Sequence, residues 1–359
     1  MAEAEITCEY LEALSRYLKG EINSREAASV AGLSGANRFL EFMHVAFNLN
    51  YISVNAPINQ EVTNKMRDWA GFERRLEPKV VRGNPNDDTF YLRAAETLMI
   101  HLRRYLTSAR NEVNIGIVSG SSTANTINRL VESALWDEIM GGVSVSPKNI
   151  NVIALNATTV TNWELEGNAN ISTLKLAVLL RDNLCENDGC SVNPKGISKD
   201  LIVRVRGNGM SAPGSSDGRT KTITVDKEVT PGLDIVISGV GAPDNSVFSD
   251  VLRILGIDPP KGIVGDIAFW PVDRNGKPLK LVKDGVEYQI YCEIDLTKMR
   301  DLVTRGSVVM VIARNSRRGR PADKTNAIRA AIRGNYVNVM FTDEDTAVEV
   351  MKEPAAVLD

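Results

Sequence analysis

From about residue 112 onward, short apolar segments rich in β-branched residues alternate with segments whose apolar residues recur every three or four positions. The first pattern predicts buried strands and the second predicts amphipathic helices. Strands are expected at 113–118, 151–155, 201–205, 234–238, 263–269, 307–313 and 337–341, and helices near 121–139, 168–182, 245–255, 295–304, 322–333 and 343–352. This alternation predicts an α/β domain whose mostly parallel sheet is covered on both faces.

The first 56 residues follow a helical pattern throughout. Leu11, Leu14 and Leu18 recur at helical spacing, which predicts a first helix. The elements expected after it are a helix near 24–30, a turn at 31–34 and a longer helix near 35–48. Ser24 and Ser34 stand where N-cap residues are preferred. We therefore expect an all-helical unit at residues 1–56.

The next stretch carries turn chemistry. "RGNPNDD" at 82–88 is rich in residues that favour loops, so we expect a linker at 57–90 and a single α/β domain at 91–359. That domain opens with a helix whose apolar residues form one stripe, which faces either the core or another subunit. The stripe consists of Leu92, Ala95, Met99, Leu102 and Leu106.

Charge and hydropathy exclude several classes of protein. The net charge of −3, from 42 basic and 45 acidic residues, gives no overall attraction for nucleic acid or membranes, although a local basic patch stays open. No apolar run approaches the roughly 20 residues of a membrane-spanning helix. The first twelve residues lack the basic segment of a signal peptide. We expect a cytoplasmic protein that does not bind membranes.

The residues that usually bind metals are few. The chain has four cysteines and two histidines, and no spacing among them is typical of a zinc site. Reduced thiols fit the four cysteines better than a disulfide scaffold does. The sequence predicts neither a metal site nor a bound cofactor.

A cluster of small residues lies where the first predicted strand meets its helix. In "NIGIVSGSSTANTI", at 114–127, the turn consists of Ser119, Gly120, Ser121, Ser122 and Thr123. A glycine allows close backbone approach, hydroxyl groups can donate, and the helix N-terminus presents open N–H groups with a positive dipole end. This combination suits a phosphate, and an ordinary capped turn is the alternative.

Two further turns carry candidate ligand groups. "ISGVGAPDN" at 237–245 places Gly239 and Gly241 after a predicted strand, a weak signal by itself. "VGDIAFWPVDRNG" places Asp266 inside an apolar strand, and residues 273–276 are predicted to form a hairpin turn. Burying a carboxylate costs free energy unless the carboxylate is paired, so an unpaired one is expected where it serves a function. Asp266 is thus either a hydroxyl-binding group or a solvated aspartate at the end of a strand.

The fourth candidate is a basic stretch before a predicted helix. The basic residues of "ARNSRRGRPADKTNAIRAAIRG" are concentrated at Arg314, Arg317, Arg318, Arg320 and Lys324. A cation in the first turn of a helix opposes the helix dipole, which is easier to explain if an anion binds there. We take Arg320 and Lys324 as candidate ligand residues, and a solvated basic loop is the alternative.

Catalytic arrangements are poor by comparison. A Ser-His-Asp arrangement would need His44 or His101, and both lie in helical segments far in sequence from the hydroxyl-rich turn. Asp266 could act as a general base, but the sequence identifies no partner for it. We assign no catalytic residue, and an isomerase that uses Asp266 as base and Lys324 as electrophile stays an alternative.

In this order, the four motifs resemble the SorC family of bacterial transcriptional regulators, over residues 90–359. The closing segment "DKTNAIRAAIRGNYVNVMFTDEDTAVEVM" is the most similar. The resemblance implies an N-terminal helix-turn-helix domain joined to a Rossmann-like effector domain related to sugar-phosphate isomerases, with no enzymatic activity required. It also implies that Ser119–Thr123 hold a phosphate, that Asp266 binds sugar hydroxyls, that Lys324 binds either, and that subunits assemble as homo-dimers or homo-tetramers.

The N-terminal unit matches that family less closely. Ser34, Asn37 and Arg38 fall where helix-turn-helix domains contact bases and phosphates of operator DNA. However, the expected recognition helix also contains Phe39, and residues 1–60 hold four basic against seven acidic residues. Since phosphate contacts dominate DNA affinity, the alternative is an adaptor whose helical unit binds protein. The main hypothesis is a DNA-binding regulator that responds to a phosphorylated sugar.

Overall fold

A seven-stranded, wholly parallel sheet forms the centre of the protein. The computed structural model describes residues 8–18, 21–40, 43, 58–71, 74–83, 87–132, 136, 139, 147–156, 168–185, 190–196, 202–206, 209–211, 222–223, 232–315 and 323–355. The strands in chain order are β1 (Glu77–Val81), β2 (Glu112–Ile117), β3 (Asn149–Ala154), β4 (Ser191–Lys195), β5 (Ile202–Arg206), β6 (Gly209–Ser211), β7 (Thr222–Ile223), β8 (Ile235–Ser238), β9 (Val240–Gly241), β10 (Gly265–Ile267), β11 (Trp270–Val272), β12 (Leu281–Lys283), β13 (Val286–Ile290), β14 (Val308–Ile312) and β15 (Val339–Asp343).

The order of strands across the sheet is β1-β15-β14-β8-β2-β3-β4. The chain winds from β2 through β3 to β4 in one direction, and from β8 through β14 to β15 in the other. The winding therefore reverses between β2 and β8, as in doubly wound, Rossmann-like folds. This confirms the α/β fold class and the mostly parallel sheet.

Of the helices with defined bounds, all but the first two cover the faces of this sheet. The helices are α1 (Cys8–Leu18), α2 (Ser24–Val30), α3 (Gln60–Ala70), α4 (Asp87–Leu106), α5 (Ser121–Glu132), α6 (Ala169–Leu180), α7 (Val247–Leu255), α8 (Leu296–Thr304), α9 (Thr325–Arg333) and α10 (Glu344–Met351), and α6 continues into a π-helical turn at Arg181–Cys185. Within the described residues, no helix combines the length and apolar character needed to cross a membrane.

Side chains of β14 show how the sheet separates two cores. Val308, Met310 and Ile312 pack with α4, α5 and α6, whereas Val309 and Val311 pack on the opposite face with α3, α7, α8, α9 and α10. This alternation follows from the two-residue period of a strand, and every residue of β14 is buried. A continuous apolar run is therefore what a central parallel strand requires.

The apolar stripe of α4 belongs to the second core. Its members Ala95, Met99, Leu102 and Leu106 are fully buried. The core-facing interpretation of this helix is therefore confirmed. The alternative, in which this stripe contacts another subunit, is wrong for these four residues.

Two smaller antiparallel sheets accompany the central one. β9, β10 and β11 form a three-stranded sheet beside α9, and β12, β13, β5, β6 and β7 form a five-stranded sheet. The strand predicted at 201–205 is present as β5, but it belongs to the antiparallel sheet. Of the strand predicted at 263–269, residues 265–267 are present as β10, and Ala268 and Phe269 make a tight turn into β11.

The predicted linker contains regular structure. Within 57–90, α3 is capped by Asn59, whose side chain accepts from the N–H of Val62, and β1 pairs with β15 throughout its length. β1 reads "EPKVV", and a proline and a charged residue are typical of an edge strand. This stretch is therefore part of the sheet's architecture, and the strand at the opposite edge of the sheet is β4.

The N-terminal helices have a small core of their own. Phe39 is fully buried, with its ring 5.7 Å from that of Tyr10 and 5.4 Å from that of Tyr17. The short second helix and the turn after it are confirmed, and residues 36–40 and 43 are helical, as predicted for the third helix. Phe39 therefore stabilises this unit from inside.

Both N-cap predictions in this unit are wrong by one position. Asn23, the residue before Ser24, caps α2 by accepting from the N–H groups of Arg25 and Glu26. The carbonyl of Gly35, the residue after Ser34, accepts the first hydrogen bond of the next helix from Phe39. In both cases the adjacent residue occupies the N-cap position of the backbone, and the residue type alone does not distinguish the two neighbours.

The cysteines differ from one another. Cys190, directly before β4, is disulfide-bonded, contrary to the expectation of reduced thiols. Cys292 is free and buried, and burial raises the pKa of its thiol to about 12.

Candidate functional site

A cavity of about 90 Å³ opens where the winding of the sheet reverses, at the carboxyl ends of β2 and β8. Ligands of doubly wound sheets bind at this place because the loops leaving the two strands diverge there. We call it the switch-point cavity. It is lined by Val118, Ser119, Gly120, Ser121, Ser122, Gly239, Val240, Gly241, Asn245, Ser246, Val247, Phe248, Asp266, Ala268, Phe269 and Lys324.

Eight of the ten candidate ligand residues line this cavity. They are Ser119, Gly120, Ser121, Ser122, Gly239, Gly241, Asp266 and Lys324. Thr123 lies one residue beyond the lining, fully buried, and its hydroxyl has no hydrogen-bond partner among the described residues. Arg320 lies outside the described residues, as do Arg317 and Arg318.

The N-terminus of α5 forms one wall of the cavity. Helical hydrogen bonding begins where the N–H of Ala124 donates to the carbonyl of Gly120, at 3.0 Å. The N–H groups of Ser121, Ser122 and Thr123 donate to no described residue. Open N–H groups at the positive end of a helix are the donors that phosphate binding uses.

Ser119 holds the wall in place. Its N–H donates to Oδ1 of Asn156 at 2.8 Å, and its hydroxyl oxygen accepts from the N–H of Ala169 at 2.9 Å, at the start of α6. The side-chain amide nitrogen of Asn156 is buried without a partner in the described structure. Sequence reasoning missed Asn156, because its contact with Ser119 crosses 37 positions.

Asp266 lies in the opposite wall, only 6% exposed. Its Oδ2 accepts from the N–H of Phe269 at 3.1 Å, and no described residue donates to its Oδ1. The turn that presents this N–H consists of Ala268 and Phe269, whose φ angles are 50° and 66°. Left-handed conformations are costly for such side chains and are characteristic of functional sites.

Burial controls the charge of Asp266. It raises the pKa of this carboxyl group to about 7, although the Phe269 N–H, the charge of Lys324 and the Ser246 hydroxyl each lower it. Ser246 is near the carboxyl group without meeting hydrogen-bond geometry at Oδ1. A substantial fraction of Asp266 is therefore protonated near neutral pH.

Lys324 is half-buried at the start of α9, at the N-cap position. Its backbone N–H donates to Oδ1 of Asn315 at 2.7 Å, and its side chain makes no capping hydrogen bond to the helix. Burial lowers the pKa of its ammonium group and Arg314 lowers it further, whereas Asp266 raises it. Its ammonium group forms no ion pair within 4 Å among the described residues, so it can bind an anion.

Arg314 has another role. Its guanidinium group pairs with Asp87 and stacks 4.5 Å from the centre of the Phe90 ring, which anchors the loop after β14 to the start of α4.

The hairpin turn predicted at 273–276 is confirmed, because the N–H of Gly276 donates to the carbonyl of Asp273 at 2.9 Å.

The start of α7 also lines the cavity, which the sequence did not predict. Ser246 caps this helix in a reciprocal pair with Ser249, and the N–H groups of Val247 and Phe248 donate to no described residue. The sequence signal that could have identified this cap is a serine directly before an apolar helix.

The reactive side chains that line the cavity are serines, Asp266 and Lys324. Among its lining residues there is no histidine, cysteine or glutamate. Within the described residues, no cluster of histidine, cysteine, aspartate and glutamate could hold a metal ion. His101 is buried in α4, where burial lowers its pKa, and His44 lies outside the described residues.

The three candidate DNA-contacting residues share one unit. Ser34, Asn37 and Arg38 are all exposed at the start of the helix after the turn at 31–34. Their exposure is compatible with contacts to DNA.

Comparison with known proteins identifies the fold. No family model matches the chain. The full-length sorbitol operon regulator SorC from Klebsiella pneumoniae aligns with a TM-score of 0.56 and 13% identity, over 96% of this chain and 98% of that one. A structure named probable sor operon regulator, from Shigella flexneri, aligns with a TM-score of 0.53 and 17% identity, over 82% of this chain and all of that one. The resemblance to SorC regulators is confirmed at the level of the fold.

Proposed function

We propose that this protein is a transcriptional regulator whose α/β domain binds a phosphorylated sugar and whose N-terminal helices bind operator DNA. The observation that carries the proposal is the composition of the switch-point cavity. Open N–H groups of α5, the ammonium group of Lys324 and the carboxyl group of Asp266 all line it. The fold shared with the sorbitol operon regulator SorC supports the same function.

The cavity offers two kinds of recognition. The N–H groups at the start of α5 together with Lys324 suit a phosphate, which needs many donors and positive charge. Asp266 and the Ser246 region suit the hydroxyl groups of a polyol. A ligand that carries a phosphate and hydroxyl groups uses both, whereas an unphosphorylated sugar leaves the α5 donors unpaired.

The ligand acts by shifting a population of conformations. It must bind more tightly to one arrangement of the N-terminal helices than to the other, because only differential affinity moves such an equilibrium. The regulator works as a homo-dimer or homo-tetramer, in which two helical units contact DNA together.

Thermal unfolding tests the ligand part of the proposal. We expect sugar phosphates to raise the melting temperature, and their unphosphorylated parents to leave it unchanged. Lys324→Ala should abolish the rise. Lys280→Ala is the matched control, since Lys280 pairs with Glu287 at an exposed position away from the cavity lining. No rise with any phosphate would refute the cavity's assignment.

DNA binding needs its own test. We expect sequence-specific retention of operator fragments at low salt, changed by the active sugar phosphate. The acidic balance of residues 1–60 favours the adaptor alternative. A salt-insensitive protein partner combined with no DNA retention would establish that alternative.

One observation favours an enzyme as the second candidate. A carboxyl group with a pKa of about 7 is suited to general-base catalysis at neutral pH, as an isomerase requires. Turnover of a sugar phosphate that Asp266→Asn abolishes would establish it. The fold shared with regulators and the absence of histidine and glutamate from the lining weigh against it.

A further inference from the structure

Asp266 is placed where a negative charge is poorly supported. The carboxyl group is buried, accepts one backbone hydrogen bond through Oδ2, and has no donor at Oδ1 among the described residues. An ionised carboxylate in such surroundings is typically stabilised by two or three donors or by a paired cation. The nearest described cation, Lys324, forms no ion pair within 4 Å.

The other charged groups on the surrounding elements do not stabilise a negative charge on Asp266. In α7, Asp250 pairs with Arg253, and Asp244 in the preceding loop is exposed. In α9, Arg329 donates to the carbonyls of Glu349 and Val350. Among the described residues, the charge of Lys324 is therefore the one that reaches Asp266.

A bound phosphate would add negative charge to the same cavity. The open N–H groups of α5 and the carboxyl group of Asp266 line one space of about 90 Å³, so the two anions would lie close together. Like charges in a shared site disfavour the second ionisation, because solvent screens them weakly there. The single positive charge of Lys324 cannot compensate both anions.

We propose that binding of a phosphorylated ligand is coupled to the uptake of one proton by Asp266, which then donates from Oδ1 to an oxygen of the ligand. The inference rests on the proposed function and specifies its chemistry. Asp266 acts as a donor, so the ligand group opposite it is an acceptor, such as a carbonyl, ring or hydroxyl oxygen. The free protein already has a pKa of about 7 at this residue, so little free energy is needed to protonate it.

Isothermal calorimetry in two buffers of different ionisation enthalpy measures the proton directly. The probes for the proton count are fructose 6-phosphate and sorbitol 6-phosphate, at about pH 8, where a phosphate monoester with its second pKa near 6 is already dianionic. Inorganic phosphate is the third probe and tests binding alone. We expect the wild-type protein to take up close to one proton per ligand bound. Its affinity should fall as the pH rises above about 7, by up to tenfold per pH unit.

Asp266→Asn separates the donor from the acceptor role. Asparagine keeps a donor and the shape of the neutral acid, so this variant should bind the same probe at least as tightly at about pH 8 and take up no proton. Asp301→Asn, at an exposed position in α8, should behave like the wild type. Thermal unfolding of each variant verifies that it is folded.

The outcomes are distinguishable. Binding without proton uptake in the wild type, or a large loss of affinity in a folded Asp266→Asn protein, would overturn the inference and leave the proposed function intact, because Asp266 would then act as an ionised acceptor. Failure of all three probes to bind to any of the proteins would overturn both the proposed function and this inference.

Discussion

The backbone of Gly241 lies directly opposite Asp266 in the pairing of β9 with β10, and a Cβ atom on Gly241 would be 1.8 Å from Oδ1 of that aspartate. The same atom would be 2.9 Å from the Cβ of Ser246. The carboxyl group thus occupies the space that any other residue at position 241 would fill with a side chain.

Gly241→Ala should therefore displace the carboxyl group of Asp266. We expect a lower melting temperature and loss of the response to sugar phosphates, because overpacking typically costs about 1–3 kcal/mol. Gly232→Ala is the control, because Gly232 lies outside the cavity lining and its Cβ would meet no atom within 4 Å. Equal behaviour of the two variants would contradict this account.

Stability of the ligand-free protein should depend on pH through Asp266. The folded pKa of about 7 is higher than the ordinary value of 3.8, so the folded state holds the proton more tightly. The stabilisation is complete below about pH 4 and is lost as the pH rises through about 7. Urea unfolding from pH 5 to pH 8 should show this loss in the wild type and a flatter profile in Asp266→Asn. Parallel profiles would refute the prediction.

The hydroxyl of Ser119 should contribute to stability. Ser119→Ala leaves the N–H of Ala169 without its acceptor, which costs about 1–3 kcal/mol for a buried donor. Ser121→Ala, two positions later and exposed, should change the free energy of unfolding by less than about 0.5 kcal/mol. Urea denaturation of both variants makes the comparison, and a larger effect at Ser121 would contradict the assigned roles.

Removing the charge of Arg38 should weaken DNA binding at all sequences. If Arg38 contacts a phosphate, Arg38→Ala reduces the slope of log affinity against log salt by about 0.9. Asn37→Ala, one position earlier, should instead relax the preference between operators. Fluorescence anisotropy over a salt series measures both quantities. An unchanged slope would favour the adaptor alternative.

Parts of the cavity could be predicted because they conflict with their local surroundings. Asp266 interrupts an apolar strand, and Lys324 opposes the dipole of the helix it precedes. Such conflicts are expected where function overrides local preference. The helices of the α/β domain were placed within a few residues because their apolar periodicity is a local property.

Other features depend on contacts that no local pattern encodes. Asn156 acts through Ser119, which precedes it by 37 positions. The turn at Ala268 and Phe269 uses no glycine or asparagine, the residues that signal left-handed turns. β1 and β4 contain Pro78 and Pro194, which obscured them as strands, although both strands lie at the edges of the sheet.

The position of β1 determines where the chain can be divided. β1 pairs with β15 along all five of its residues, so it shields the outer edge of the last buried strand. A fragment that began at residue 91 would expose five unpaired backbone positions of an apolar strand, a template for intermolecular strand pairing and aggregation. A fragment that keeps α3 and β1, starting near residue 57, retains its protected edge. In this protein, the segment next to the helical unit is what keeps the sheet from joining other sheets.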